Sequence, residues 1–286
     1  MRRSNAIKID LMASTTFSSL HQDGYRHAEL FSIRTGDDEL RSMLRTRYSI
    51  PAHSIKDIMN RVDAMLDTNK GFSRSVLLGG RAVNALCRGE ERLSPDIDIA
   101  VRIKGELTES RLNDLRAMAE RMNFKPNGIM TKLTDRETGI KVDLFFKPAG
   151  SPETFADSKK ADGTVSGVPV NEVLRFGRNI AVTVEGETSE ARVVAPWQLI
   201  IMKYNAVVND VEKADPHHKA DLFAVIRHQY GSINSFVSKE NKNISRYASR
   251  GYIGRNINSH DGSKAFSGDC RSVESLVLDL KRLEAE

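Results

Sequence analysis

Cysteine is almost absent: Cys87 and Cys270 are the only two in 286 residues. Two cysteines without paired spacing form neither a disulfide framework nor a zinc site, so a reducing cytoplasm is the expected compartment. Long apolar runs are missing too. No segment approaches the ~20 residues needed to cross a bilayer, so no membrane partner is expected. The opening MRRSNAIKIDLMAS carries the positive charge of a secretory n-region, but Lys8 and Asp10 interrupt its apolar core and argue against a signal peptide. Internal repeats are lacking as well.

What is present is an ordinary globular composition, 40% apolar and 28% charged, with enough material for a real core. The length suits one large or two modest domains. A net charge of +5 and a pI near 9.1 suit an anionic partner such as a nucleotide or nucleic acid. Many soluble proteins carry as much charge, so this narrows little.

Periodicity divides the chain into an N-terminal helical region (1–70), an α/β core (71–195) and a mostly helical C-terminal part (196–286). The overall expectation is an α+β fold, a mixed sheet flanked by helices. Ile55, Ile58, Met59, Val62 and Met65 recur at three and four and predict an amphipathic helix over 53–68. SVLL (75–78) reads as a buried strand, Gly79-Gly80 as its turn and AVNALC as the start of a helix. DIDIAVRI (96–103) is a second strand. A helix over 108–122 takes Thr108 as its N-cap. GIMTKLT and IKVDLFFK form a hairpin around DRETG, and AVTVEGETSEARVV forms another. Residues 148–176 read as an irregular excursion. Pro196 opens one helix, Asp215 caps the next, and Gly231 stops it. Residues 232–269 are polar, with a basic loop at 238–260, and a last amphipathic helix follows Ser272.

The chemistry concentrates in LLGGRAVNALCRGEERLSPDIDIAV (77–101). Alternate side chains of a strand face the same way, so Asp96 and Asp98 point together while Ile97 and Ile99 enter the core. Two carboxylates ~7 Å apart along one strand face repel each other unless a cation joins them. Mg²⁺ suits such a site, because it prefers oxygen ligands and keeps positions open for substrate phosphates. Glycines between a buried strand and a helix let backbone N–H groups approach a phosphate. Asp143 in KVDLFF also projects away from the core. If its strand neighbours the first, three carboxylates converge, enough to hold two metal ions and to help deprotonate a hydroxyl.

GG…SPDIDIAV…KVDLFF resembles the nucleotidyltransferase superfamily that includes DNA polymerase β. APWQLIIMKYNAVV followed by HHKADLFAVI resembles the AbiEii-type nucleotidyltransferase toxins of bacterial abortive-infection and toxin–antitoxin systems. The likeness spans roughly residues 74–230. It implies a polymerase β-like fold and transfer of a nucleoside monophosphate from an NTP to an acceptor hydroxyl, on RNA such as a tRNA 3′ end or on a protein. It also implies two Mg²⁺ ions, with Mn²⁺ as a substitute, and a separately encoded antitoxin. Asp96, Asp98 and Asp143 would carry metal and catalysis. Gly79, Gly80, Arg81, Ser94, Lys203 and Lys219 would contact the nucleotide, with Lys203 and Asp221 closing the site from the helical half. Arg81 stands where relatives often carry a small hydroxyl residue.

Several residues admit simpler readings. Lys203 lies off its helix's apolar stripe, where a lysine is ordinarily solvated, and Asp221 suits a helix's first turns regardless. His217 and His218 point about 100° apart on a helix and make a poor shared metal site, with His228 farther along. The basic loop holds five Lys/Arg against one Glu, with Tyr247 and Tyr252 interleaved, which suits either an RNA surface or a solvated segment. The competing functions are a non-catalytic nucleotide- or RNA-binding protein on the same fold, and an unrelated Asp-x-Asp transferase acting on sugar nucleotides.

Overall fold

The spacing of Ile55, Ile58, Met59, Val62 and Met65 does form a helix, α1 (Ala52–Met65), and all five side chains are buried. The computed structural model describes residues 52–66, 75–87, 94, 96–103, 106–146, 160, 163–184, 187–209, 216–254 and 272–286. The region before Ala52, the RGEER segment, the Asp215 cap and Cys270 lie outside these residues.

The strands are β1 (Val76–Leu77), β2 (Asp96–Ala100), β3 (Phe124–Pro126), β4 (Lys132–Asp135), β5 (Lys141–Phe145), β8 (Arg178–Val184) and β9 (Glu187–Val193). Among the described residues they form one seven-stranded sheet in the order β3-β4-β5-β2-β1-β9-β8. It is mixed: β2 with β5 and β1 with β9 run parallel, and the other pairs are antiparallel. β6 (Thr164–Val165) and β7 (Val168–Pro169) make a separate small hairpin. The expected α+β fold, a mixed sheet with flanking helices, is what the chain adopts.

Local chemistry sets the boundaries. α2 (Gly79–Leu86) follows β1 directly. The Thr108 side chain caps α3 (Glu109–Arg121) by accepting from Arg111 N at 3.2 Å. The β4–β5 turn closes through Gly139, whose φ of 73° suits a residue without Cβ. Arg61 of α1 ties this turn to the core, donating to Asp135 at 2.9 Å and to Met122 O at 2.9 Å. Pro196 opens α5 (Pro196–Asn209), α6 (Pro216–Tyr230) stops at Gly231 (φ 81°), and Ser272 caps α8 (Val273–Ala285) from its side chain.

Gly79 and Gly80, expected as a turn, are the first two residues of α2, and two longer stretches also differ from expectation. Within the excursion expected at 148–176, residues 163–176 form the small hairpin and then helix α4 (Val170–Phe176). Gly163 and Gly167 supply the left-handed turns there, and Val168, Val170, Val173 and Leu174 are buried. The first part of the polar stretch after Gly231, including much of the segment read as a basic loop, forms helix α7 (Ile233–Ser249), and residues 255–269 lie outside the described residues. Ser232 caps it by accepting from Ser235 N, and Ile233, Phe236, Ile244, Tyr247 and Ala248 supply a sparse buried stripe among polar residues. Tyr247 is fully buried, stacked edge-on to Trp197 at 4.7 Å, so it is a core residue and offers no face to an RNA base. Arg246 and Arg250 pair with Glu172 of α4.

The helical half is stitched to itself and to the sheet. Tyr204 donates to Asp279 of α8 at 2.7 Å, and buried Asn205 donates to Ser166 O and Tyr252 O while accepting from Gly254 N. Gln229 of α6 donates to Leu86 O at the end of α2. One buried apolar cluster includes residues of α1, the sheet and α5 to α8. This packing sets α5 and α6 beside the glycine turn.

Candidate active site

Strand alternation places the first two acids as the pattern demands: Ile97 and Ile99 are fully buried, while Asp96 and Asp98 stand half-buried on the other face. The parallel register of β2 and β5 then sets Asp98 directly opposite Asp143. Carboxylate oxygens of Asp96, Asp98 and Asp143 all lie within 4.8 Å of one another. Three oxygen donors this close suit a hard divalent cation and strain one another without one. The donor set therefore fits the metal that the sequence pattern implies. Ser94 steadies it, its hydroxyl donating to Asp96 Oδ1 at 3.1 Å.

Gly79 forms the floor. Its φ is +62°, and its backbone lies so close to Asp98 that a Cβ would overlap the Asp98 carboxylate, coming within 2.9 Å of Cγ. Leu78 N also donates to Asp98 O at 2.8 Å. The glycine turn and the acidic strand are thus one unit, with the first turn of α2 beside the carboxylates. Gly79→Ala is expected to lower stability by about 1–3 kcal/mol through the left-handed backbone and the overlap. It should also lower divalent-metal affinity at least about tenfold by displacing Asp98. Chemical denaturation and metal titration of the folded fraction check both effects.

Burial pushes the Asp98 carboxyl up to about 7, helped by the neighbouring charges of Asp96 and Asp143 and opposed by those of Lys160 and Lys203. A carboxyl raised in this way keeps a proton that the unfolded chain has already released. The metal-free protein therefore loses stability as pH climbs from the ordinary Asp value to about 7. A divalent ion must displace that proton. Any rise in melting temperature caused by a divalent ion is accordingly expected to be small near pH ~5.5 and to grow until about pH 8; a pH-independent shift would contradict this coupling.

Two lysines flank the acids. Lys160 Nζ forms an ion pair with Asp143 Oδ2. Lys203 of α5 is buried, with its ammonium 2.6 Å from Asp221 of α6 and 3.4 Å from His218 Nδ1. The simple reading of Lys203 as a solvated lysine is therefore overturned: packing of α5 on α6 buries that face, and Asp221 supplies the charge that makes burial tolerable. Asp221 is buried with it.

Of the other sequence-predicted residues, Gly80 is buried at the start of α2. Arg81 is also buried, its guanidinium donating to Ser94 O and binding α2 to the approach of β2. Lys219 is half-buried on α6, two residues before Asp221. His217 is buried and His228 exposed, about three turns apart along α6. Sequence reasoning missed Lys160. It lies in a stretch without periodicity, and nothing in its surroundings marks it.

No family model matches this sequence, and no curated protein does. Among solved structures, the chain is similar to the antibiotic-resistance factor ANT(2″)-Ia in complex with adenylyl-2″-tobramycin, with 14% identity and a TM-score of 0.37 over 68% of this chain and 99% of that one. It is also similar to an antigenic nucleotidyltransferase-like protein from Paracoccidioides brasiliensis, with 10% identity and a TM-score of 0.33 over 72% and 96% of the two chains. A third is CdnC of E. coli MS115-1 in complex with HORMA-deltaN, at 13% identity and 0.30 over 81% of each.

Proposed function

We propose that this chain is a divalent-metal-dependent nucleotidyltransferase that moves a nucleoside monophosphate from an NTP to an acceptor hydroxyl. The observation that carries this reading is the convergence of Asp96, Asp98 and Asp143 beside a glycine turn whose backbone touches Asp98. When bound, Mg²⁺ ions, with Mn²⁺ as a substitute, would supply Lewis-acid charge to orient the triphosphate and offset the negative charge building on it. Asp96, Asp98 and Asp143 would hold them, Ser94 keeps Asp96 oriented, and the N–H groups after Gly79 face the phosphates. Asp143 draws the proton from the acceptor hydroxyl. That oxygen attacks the α-phosphorus, the bond to the bridging oxygen breaks, and pyrophosphate leaves. Lys203, fixed by Asp221, contributes positive charge from the helical side.

The narrower reading is an AbiEii-type toxin acting in a bacterial cytoplasm, with a tRNA 3′ end as acceptor and a cognate antitoxin as partner. It is supported by the likeness of APWQLIIMKYNAVV and HHKADLFAVI, whose lysine and aspartate meet as Lys203 and Asp221. A second reading, a non-catalytic nucleotide- or RNA-binding protein, draws support from Arg81, which is turned onto Ser94.

Incubation with Mg²⁺ and each α-labelled NTP, in parallel series with total RNA and with cell protein, separates these readings. Label on tRNA supports the narrow reading, and label on protein or on another RNA supports only the broad one. Nucleotide binding without transfer to any acceptor supports the second reading.

A further inference from the structure

Lys160 reaches the acidic cluster from outside every motif of the sequence. Its ammonium pairs with Asp143 Oδ2 and sits 5.5 Å from the centre of the Phe145 ring. Its own carbonyl accepts from Phe146 N at 2.9 Å, which pins it to the end of the strand that carries Asp143. Its side chain is 22% exposed and that of Asp143 18%, so the contact is sheltered without being sealed. Lys203 is placed differently, locked onto buried Asp221.

Three carboxylates within 4.8 Å need positive charge nearby. A lysine is a single charge on a flexible four-carbon stem, able to satisfy one carboxylate and then leave it. We infer that Lys160 is a built-in counter-cation that occupies Asp143 in the metal-free site, yields it to the entering divalent ion, and then turns onto the nucleotide's phosphate oxygens. This inference rests on the metal-dependent reading above. It makes Lys160 both a competitor of the metal and a ligand of the nucleotide, so removing its charge has opposite effects on the two. A lysine serving only to hold the fold would weaken both or neither.

The test uses the full chain with Lys160→Met, which keeps the stem and loses the charge, and Lys160→Arg, which keeps the charge. Mn²⁺ affinity is measured without nucleotide by electron paramagnetic resonance, and affinity for a non-hydrolysable NTP is measured at saturating Mg²⁺. Lys160→Met is expected to bind Mn²⁺ about fivefold tighter and the NTP analogue about fivefold weaker than the native chain, a modest fraction of the Coulomb interaction at this range. Lys160→Arg keeps near-native NTP affinity. Unchanged or weaker Mn²⁺ binding in folded Lys160→Met overturns the inference and leaves the metal reading standing. Failure of the native chain to bind Mn²⁺ removes both. If Lys160→Met does not fold, lysine-reactive labelling of the native chain decides. Lys160 must label faster on adding Mg²⁺ and slower again with the NTP analogue, and labelling indifferent to Mg²⁺ overturns the inference.

Discussion

Asp98→Asn is expected to abolish nucleotidyl transfer while making the metal-free protein more stable. The amide keeps the shape that fits under Gly79 but loses the charge proposed to bind a divalent ion. Losing several kcal/mol of charge stabilisation at the reacting phosphate corresponds to a fall of about a thousandfold or more in kcat/KM, at ~1.4 kcal/mol per decade. The same change removes a carboxyl that burial and two like charges have pushed up to about 7. At pH 8 that carboxylate is strained in the empty site, so each kcal/mol relieved should raise the melting temperature by about 2–4 °C. Steady-state kinetics and thermal melts at pH 8, with and without Mg²⁺, check both halves. A variant that is inactive and also less stable would show that Asp98 serves the fold.

Lys203→Met should be the most destabilising of the site substitutions, by about 3–5 kcal/mol, because it removes the buried ammonium that pairs with buried Asp221. Loss of activity in that variant alone would say nothing about catalysis. The double variant Lys203→Met/Asp221→Leu separates the two roles, since a buried ion pair replaced by apolar groups of similar volume restores stability. Stability is expected to return to within about 1 kcal/mol of native, with transfer still reduced at least about a hundredfold. Recovery of activity together with stability would assign the pair to packing alone.

Much of this site was legible because its parts obey short-range rules. Strand alternation fixes where Asp96 and Asp98 point, and a glycine pair between strand and helix marks a close backbone approach. The parallel pairing of β2 with β5 is different, since α3, β3 and β4 intervene in the chain and no local pattern announces the register. Asp143 could be named as a candidate from its own strand, but its position opposite Asp98 depends on that long-range pairing. The burial of Lys203 depends on packing in the same way: a lysine beside an apolar stripe admits a solvated reading until a second helix covers it and brings its counter-ion. The polar stretch hid α7 because a helix needs only a narrow apolar stripe when its other faces are wet, and Phe236, Ile244 and Tyr247 are thinly spread. Lys160 carried no local signal, because its meaning lies entirely in what it touches.

The central claim is that Asp96, Asp98 and Asp143 form a divalent-metal centre for nucleotide chemistry. Mn²⁺ titration by electron paramagnetic resonance, with and without a non-hydrolysable NTP, tests it most directly in the native chain and in Asp96→Ala/Asp98→Ala. The account predicts Mn²⁺ binding that the NTP analogue strengthens in the native protein and that the folded double variant lacks. Equal Mn²⁺ binding by both proteins, or binding indifferent to nucleotide, would contradict it.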